Sequence, residues 1–211
     1  MNQPPIYVEE IYYSETDFIV HLFDTEHIAT VVTASSVQAS LWVNKFLYAY
    51  KDNDNNDDDP TRFLVGFDVK LSKHKDNPIA ILQLCVDQRC LIFQIRRCDA
   101  IPNALSNFLS DTRFTFTGIN INESVRRLKS DYNVRVGNIK DLQTLLKEER
   151  EQVRLRLEEL RLAQDIVKWK VQNQRSVQLG NWDEKRLSLE QIWCACIDAF
   201  ISFEMMRRVL G

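Results

Sequence analysis

Residues 63–95 read FLVGFDVKLSKHKDNPIAILQLCVDQRCLIFQI, and this stretch decides the fold. It holds three short apolar runs of strand length, Phe63–Leu71, Ile79–Val86 and Cys90–Ile95. The segments between the runs are short and carry the turn-forming residues Asp, Asn and Pro. Connections this short join neighbouring strands that run in opposite directions. We therefore predict a three-stranded antiparallel meander.

The next part of the chain predicts a crossover back to this meander. Ile101–Ser110 has the pattern of a helix, with Pro102 in its first turn. Phe114–Ile121 (FTFTGINI) is predicted to be a fourth strand that returns beside the first. Asn122 is predicted to cap a further helix, which has an apolar face. That apolar face consists of Val125, Leu128 and Tyr132. Together these elements predict an α/β mixed sheet flanked by helices.

Residues 1–60 are predicted to form N-terminal hairpins, a helix and an acidic loop within the same domain as residues 61–211. Ile6–Thr33 mixes β-branched and aromatic residues with turn signals, which predicts two or three strands. A Ser-capped helix is expected next, running to about Tyr50 from Ser35 or Ser36.

Two helices are predicted in the C-terminal part. Lys147–Lys170 is charged and amphipathic, and its opposite charges four residues apart favour a solvated helix face. The segment Ser188-Leu-Glu-Gln191 has the form of a capping box. The helix that it opens is predicted to run to about Leu210.

The composition narrows the class of protein. The 211 residues carry a net charge of −3 and a pI of about 5.7, which excludes a strongly basic nucleic-acid binder but leaves room for a local basic groove. No apolar run has the length of a membrane span, so no membrane partner is expected. The five cysteines lack the CxxC spacing of zinc or redox sites. We predict free thiols and a cytoplasmic or nuclear location.

Three stretches carry a resemblance to a known family: LVGFDVKLSK…NPIAILQLCVDQRCLIFQI, FTGININESVRRL and LGNWDEKRLSLEQIWCACIDAFISFEMMRRVL. In order, length and apolar texture, residues 63–210 resemble the DEDDy 3′–5′ exonucleases, a DnaQ-like family of the ribonuclease H-like superfamily. The branch that they resemble most is that of plant proteins similar to the Werner-syndrome exonuclease domain. The resemblance implies a ribonuclease H-like fold, in which three antiparallel strands are followed by parallel ones and helices cover both faces.

The resemblance also implies a mechanism. The family cleaves the 3′-terminal phosphodiester with two Mg²⁺ or Mn²⁺ ions about 4 Å apart. Hard divalent ions prefer oxygen ligands, so carboxylates converge on them. The family supplies Asp-x-Glu on the first core strand, an Asp on the helix after the fourth strand, and Tyr-x-x-x-Asp on the last helix, where the Tyr orients water.

This sequence keeps two of those five side chains. The family's first and last Asp fall on Asp68 and Asp198. Its Glu falls on Lys70, its helix Asp on Ser124 and its Tyr on Cys194. Because side chains two residues apart on a strand share a face, Lys70 is expected to point into the same site as Asp68.

The replacements change the charge of the site. An ammonium about 4 Å from a divalent ion costs several kcal/mol even at an effective dielectric near 20. We therefore predict no resident cofactor, and Mg²⁺ or Mn²⁺ only if the protein is active. We expect Lys70 to form a structural ion pair with Asp68 and Asp198. The open alternative is an anion site made by Lys70, the Ser124 hydroxyl and the helix N-terminus.

Other side chains are weaker candidates. Helical spacing places three further acids away from the required positions: Glu123, Asp131 and Glu204. Cys194 has no neighbouring His to activate it, so we predict an apolar filler and not a nucleophile. The three histidines show no ligand spacing and are predicted to be structural or surface residues: His21, His27 and His74.

The sequence therefore predicts a 3′–5′ exonuclease family protein with a degenerate site, retained as a nucleic-acid-binding or interaction module. Single-stranded or 3′-end nucleic acid is the predicted ligand. The resemblance implies that the substrate strand runs past the helix that carries Arg126, Arg127 and Lys129, so these are candidate phosphate contacts.

Two alternatives stay open. The first is a working metal-dependent exonuclease that uses Asp68, Asp198 and a non-standard ligand. The second is a structural homo-oligomer, and a homo-oligomeric state is also predicted for the degenerate exonuclease. Its interface would use four aromatic residues of the N-terminal hairpins: Tyr7, Tyr12, Tyr13 and Phe18.

Overall fold

The computed structural model describes residues 6–22, 26–51, 63–148 and 180–210. In these residues one sheet holds eight strands: β1 Ile6–Glu10, β2 Asp17–Leu22, β3 Glu26–Thr33, β4 Leu64–Leu71, β5 Ile79–Val86, β6 Arg89–Phe93, β7 Thr115–Gly118 and β8 Asn138–Asp141. The helices of the described part are α1 Ser36–Lys51, α2 Asn103–Ser110, α3 Ile121–Tyr132, α4 Leu142–Glu148 and α5 Leu189–Leu210.

The strand order β1-β2-β3-β6-β5-β4-β7-β8 confirms the predicted meander and crossover. Strands β4, β5 and β6 pair antiparallel, and β7 returns parallel to β4. Strand β8 was not predicted from the sequence; it pairs parallel with β7 and carries a single apolar residue in NIKD. The result is the predicted mixed sheet, with three antiparallel strands followed by parallel ones, and its fold is ribonuclease H-like.

The N-terminal strands extend this same sheet. Strands β1, β2 and β3 pair antiparallel in sequence order, as the hairpin signals predicted, and β3 joins the meander by pairing parallel with β6. Helix α1 then begins at Ser36, and the Ser35 hydroxyl accepts the Gln38 N–H at 3.4 Å. The predicted Ser cap is therefore present.

The two faces of the sheet are covered by different helices. On one face, α1 and α2 enclose an aromatic cluster in which the Phe108 ring lies 5.3 Å from Phe46, 4.8 Å from Phe114 and 5.5 Å from Phe116, measured between centroids. On the other face lies α5, and its buried residues pack against β5 and β6. Each such side chain contributes about 1.5–3 kcal/mol when fully buried.

Gly66 allows α5 to approach β4 closely. A Cβ atom at this position would lie 2.0 Å from the Ala199 carbonyl oxygen, where no side chain fits. The backbones of Gly66 and Ala199 therefore touch. Gly66 lies two residues before Asp68 on the strand, and Ala199 lies one residue after Asp198 on the helix. This contact brings the two carboxylates into the same site.

The sequence predicted the start of α5 correctly and the start of α3 incorrectly. The capping box of α5 is confirmed, because Ser188 N–H donates to Gln191 Oε1 at 2.9 Å and Gln191 N–H donates to Ser188 Oγ at 3.2 Å. The predicted cap of α3 at Asn122 is wrong. The helix already begins at Ile121, because Asn120 adopts a left-handed backbone with φ 56°, which Asn tolerates.

Four aromatic residues were predicted to be exposed on the hairpins, and this prediction is correct for two of them. Tyr12 and Tyr13 expose 81% and 93% of their surface. Phe18 is 5% exposed, so the prediction was wrong for it: Phe18 lies with Val20 on the side of β2 that faces α5. Tyr7 is half-buried and stacks on His21.

Two segments predicted from the sequence lie largely or wholly outside the residues that the structure describes. The predicted helix Lys147–Lys170 lies outside the described residues except for its first two positions, and so does the acidic loop after α1.

All five cysteines are free thiols, and burial raises the pKa of Cys85, Cys90 and Cys196. Within the described ranges, no helix has the length and apolar character needed to cross a membrane.

Candidate active site

An ion pair between one lysine and two carboxylates occupies the centre of the candidate site. Lys70 Nζ donates to Asp68 Oδ2 at 2.6 Å and to Asp198 Oδ2 at 2.5 Å. The side chains of Lys70, Asp68 and Asp198 are 15%, 25% and 13% exposed. Strand β4 supplies the first two residues on one face, and α5 supplies the third from across that face. The pairing expected from the sequence is therefore present.

Gln83 completes this cluster and was not predicted as a site residue from the sequence. It is fully buried on β5 and stands directly opposite Asp68 in the ladder. With the amide oriented to satisfy both neighbours, Gln83 donates to Asp68 Oδ2 at 3.0 Å and to the Ala195 carbonyl at 3.3 Å. The only available signal was a single amide inside the otherwise apolar strand IAILQLCV. One oxygen of Asp68 thus accepts hydrogen bonds from both Lys70 and Gln83.

Cys194 lies next to the ion pair, whereas Ser124 makes no hydrogen bond to its lysine. Cys194 is fully buried on α5, with its sulfur 3.9 Å from Asp198 Oδ2. Ser124 lies half-buried in the first turn of α3. Among the hydrogen bonds of the described residues, none joins the Ser124 hydroxyl to Lys70. The structure thus brings Cys194 to the cluster but does not link Ser124 to it.

The acids considered as replacement ligands are bound to other groups. Glu123 pairs with Arg126 at 2.8 Å and with Arg127 at 3.3 Å, and the hydrogen bond from Arg126 lowers the pKa of its carboxyl group. The other two acids have their own partners: Asp131 accepts the Ile79 N–H at 2.9 Å, and Glu204 pairs with Arg207 at 2.8 Å.

The side chains present do not fit a pair of divalent cations. Oxygen atoms of Asp68 and Asp198 that would bind a metal are already bound to the Lys70 ammonium. Within the part of the chain that the structure describes, no group of three or more His, Cys, Asp or Glu side chains is arranged to hold a metal ion. A cation placed beside the ammonium would meet several kcal/mol of repulsion.

Asp183 connects the loop before α5 to Ser72 and Arg96. Its carboxylate accepts from the Ser72 hydroxyl at 2.6 Å and pairs with Arg96 Nε at 2.9 Å. Its carbonyl oxygen accepts from Arg97 at 3.1 Å. The adjacent Trp182 is 2% exposed, so its indole packs this loop against the body of the domain.

The predicted nucleic-acid contacts lie on α3. Arg126 is exposed and paired with Glu123, whereas the half-buried Arg127 also donates to the Asn77 carbonyl at 3.2 Å. Lys129 donates to the Asn133 side chain. The Asn77 contact places this helix beside the β4–β5 loop, which carries the exposed residues Lys73 and Lys75.

Comparisons with known proteins found similar sequences among the 3′-5′ exonucleases. No family model matches the chain. The chain is 26% identical over 134 residues to a 3′-5′ exonuclease of Arabidopsis thaliana, covering 61% of this chain and 44% of the relative. It is 27% identical over 137 residues to a 3′-5′ exonuclease of Drosophila grimshawi, covering 62% and 41%. The match therefore spans less than half the length of these relatives.

Among solved structures, the crystal structure of the EXD2 exonuclease domain aligns with 86% of this chain and 89% of its own chain, at 21% identity and a TM-score of 0.48. The strand order alone defines a ribonuclease H-like protein. Within that class, the sequence is similar to the 3′-5′ exonucleases of Arabidopsis thaliana and Drosophila grimshawi. This similarity supports the resemblance of the chain to the DEDDy 3′–5′ exonuclease family.

Proposed function

We propose that this protein is a 3′–5′ exonuclease-domain protein in which an ion pair replaces the two-metal site, and that it binds nucleic acid without efficient cleavage. The observation that carries the proposal is the position of Lys70 Nζ, within 2.6 Å of both retained carboxylates. A lysine in this position supplies the positive charge that a metal would otherwise bring to Asp68 and Asp198.

The energetics of the cluster support this proposal. Two carboxylates held together at low exposure repel each other unless a cation neutralises them. The Lys70 ammonium and the Gln83 amide satisfy them with short hydrogen bonds and need no metal. Because a bound metal would have to displace Lys70 from both partners, we expect Mg²⁺ and Mn²⁺ to bind weakly or not at all.

Exposed basic residues on the β4–β5 loop and on α3 support a retained role in nucleic-acid binding. The β4–β5 loop, which begins two residues after Lys70, exposes Lys73 and Lys75. Arg126 and Lys129 are exposed on the neighbouring helix α3. Clustered cations of this kind bind phosphate groups through charge, without reading the base sequence. We infer a single-stranded or 3′-end nucleic acid as the ligand.

Restoring the family's carboxylates tests the proposal. The variant Lys70→Glu, Ser124→Asp is expected to bind Mn²⁺ in a calorimetric titration, whereas the wild type shows no comparable heat. The matched control is Lys73→Glu, Ser130→Asp, which makes the same charge changes at exposed positions in the loop after β4 and on the same helix. Circular dichroism verifies that each variant is folded.

Two results would contradict the proposal. Mn²⁺ binding by the wild type with an affinity like that of the restored variant would show that Lys70 does not exclude metal. Absence of binding by a folded restored variant would show that the site lost its metal for a reason other than these two side chains.

A second candidate function, self-assembly, is favoured by one observation. The tip of the β1–β2 hairpin exposes two adjacent tyrosines, Tyr12 and Tyr13, whose rings lie 4.0 Å apart between centroids. Exposed aromatic pairs are typical of contact surfaces. Sizing chromatography of the wild type and of Tyr12→Ser, Tyr13→Ser tests this candidate. A homo-oligomer that dissociates in the variant supports it, and a monomeric wild type contradicts it.

A further inference from the structure

Two histidines stand side by side on the outer face of the N-terminal strands. His21 on β2 and His27 on β3 occupy directly opposite positions in the antiparallel ladder. Their neighbours Val20 and Ile28 are fully buried towards α5. Since side chains alternate along a strand, the two imidazoles lie on the face away from α5. From the sequence we predicted only a structural or surface role for them, because their contact depends on the register of this hairpin.

The two rings turn the same nitrogen towards each other. Nδ1 of His21 lies 2.8 Å from Nδ1 of His27, and the ring planes make an angle of 70°. Tyr7 stacks on His21 with ring centroids 4.3 Å apart and an angle of 8° between the planes. The His21 ring is therefore held on one side by Tyr7, while its Nδ1 points at the second imidazole.

Glu9 fixes the protonation pattern of His21. Its carboxylate oxygen lies 3.0 Å from His21 Nε2. An ionised carboxylate only accepts hydrogen bonds, so the proton of the neutral ring resides on Nε2 and Nδ1 presents a lone pair. A carboxylate on the far nitrogen is the arrangement that orients histidine ligands in metal sites and raises their basicity.

From this geometry we propose that His21 and His27 form a two-histidine site for a divalent transition metal of the Ni²⁺ or Cu²⁺ type. Two metal–nitrogen bonds of about 2.0 Å that meet at about 90° place the nitrogens about 2.8 Å apart, whereas a tetrahedral angle requires about 3.3 Å. The observed 2.8 Å matches the square-planar or octahedral angle. The inference is independent of the function proposed for the Lys70 site.

The remaining coordination positions would be filled by water. His27 is exposed, so the side of the pair that faces solvent is open. Only two protein ligands take part, consistent with the absence from the described residues of any metal cluster of three or more side chains. On binding, the Nδ1 proton of His27 moves to its Nε2 through solvent, the hydrogen bond between the rings is lost, and each ring turns so that its Nδ1 lone pair points at the metal.

A calorimetric titration of the full chain with Ni²⁺ tests the site, since Ni²⁺ does not oxidise the five free thiols. The wild type is expected to bind one ion. His27→Ala removes a ligand at an exposed position and should abolish that binding, while Glu9→Gln should weaken it by about 10- to 100-fold. His74→Ala is the matched control, because it removes the chain's other histidine, which is also exposed.

X-ray absorption of the Ni²⁺ complex provides a second readout and should show two imidazole ligands. Binding by His27→Ala with the affinity of the wild type would overturn the proposal, as would the absence of any bound ion in the wild type. Either result would mean that the ring contact is only a hydrogen bond.

Discussion

The ammonium of Lys70 lies 2.5 Å from a carboxylate oxygen of Asp198, a residue 128 positions further along the chain. This contact joins the central strand β4 to the last helix, at the point where the resemblance to the exonucleases implies a metal site. A second carboxylate, that of Asp68, shares the same ammonium at 2.6 Å. Both retained acids are therefore satisfied without a metal, and the proposed loss of efficient cleavage follows from this arrangement.

Removal of the Lys70 charge is expected to destabilise the fold. Lys70→Met should lower the free energy of unfolding by about 3 kcal/mol, because it leaves two partly buried carboxylates facing each other. Urea denaturation followed by fluorescence measures the change. Lys73→Met is the exposed control and should stay within about 0.5 kcal/mol of the wild type. An equally small effect at Lys70 would show that the ion pair contributes nothing to stability.

Neutralising all three groups separates charge from packing. The triple variant Lys70→Met, Asp68→Asn, Asp198→Asn should recover part of the stability lost in Lys70→Met, because no unpaired charge remains. If the triple variant is less stable than the single one, the loss in Lys70→Met comes from packing and not from repulsion.

A methyl group at Gly66 should disrupt the contact between β4 and α5 that holds the site together. Gly66→Ala places Cβ 2.0 Å from the Ala199 carbonyl, so α5 must move away from β4. We expect a loss of about 3 kcal/mol or more in the free energy of unfolding. Thermal denaturation measures it, with Val37→Ala at an exposed position of α1 as the control. A Gly66→Ala variant as stable as the wild type would contradict the close contact.

Binding of a single-stranded oligonucleotide is expected to depend on salt. The logarithm of the association constant should fall with a slope of about −0.7 per phosphate contacted. Lys73→Gln, Lys75→Gln removes two of these contacts and should reduce the magnitude of that slope by about 1.4, measured by fluorescence anisotropy over a salt series. Lys45→Gln, on α1, is the control. If the magnitude of the slope falls equally in the control, the β4–β5 loop is not the binding surface.

Tyr132 should make the stability of the protein sensitive to alkaline pH. Its hydroxyl donates to the Ile79 carbonyl at 2.5 Å, and burial raises the pKa of Tyr132 from 10.0 to about 12. The unfolded chain therefore loses this proton first, near pH 10. The stabilisation is complete below pH 10 and is lost as the pH rises to about 12.

Comparison of variants isolates this effect from other titrating groups. Tyr132→Phe should lower the free energy of unfolding by about 1 kcal/mol at neutral pH and should show a shallower decline between pH 10 and 12. Tyr48→Phe, at an exposed position, should decline like the wild type. Parallel curves for the wild type and Tyr132→Phe would contradict the raised pKa.

The local sequence predicted much of the fold. The meander followed from three apolar runs with short connections, and the start of α5 followed from the capping box Ser188–Gln191. These features depend on residues close together in the chain, so spacing reveals them. The strand β8 escaped detection because an edge strand paired on one side needs few apolar residues. The cap of α3 was assigned to Asn122 because the local sequence does not show that Asn120 adopts a left-handed backbone.

The candidate site was predictable where period-two alternation and the family resemblance applied. Together they predicted the pairing of Lys70 with Asp68 and Asp198. The amide of Gln83 and the contact between His21 and His27 depend on which residues face each other across neighbouring strands. That register is fixed by the whole sheet, so the pattern of any one strand could not reveal them.

The most direct test of the proposed loss of cleavage is the shortening of a labelled strand. The wild-type protein is incubated with a 3′-overhang DNA and with an RNA strand, first in Mg²⁺ and then in Mn²⁺, beside the variant Asp68→Ala, Asp198→Ala. We predict no shortening above that of the variant with either metal. Metal-dependent shortening by the wild type but not by the variant would contradict the proposal and show that the two carboxylates suffice for catalysis despite Lys70.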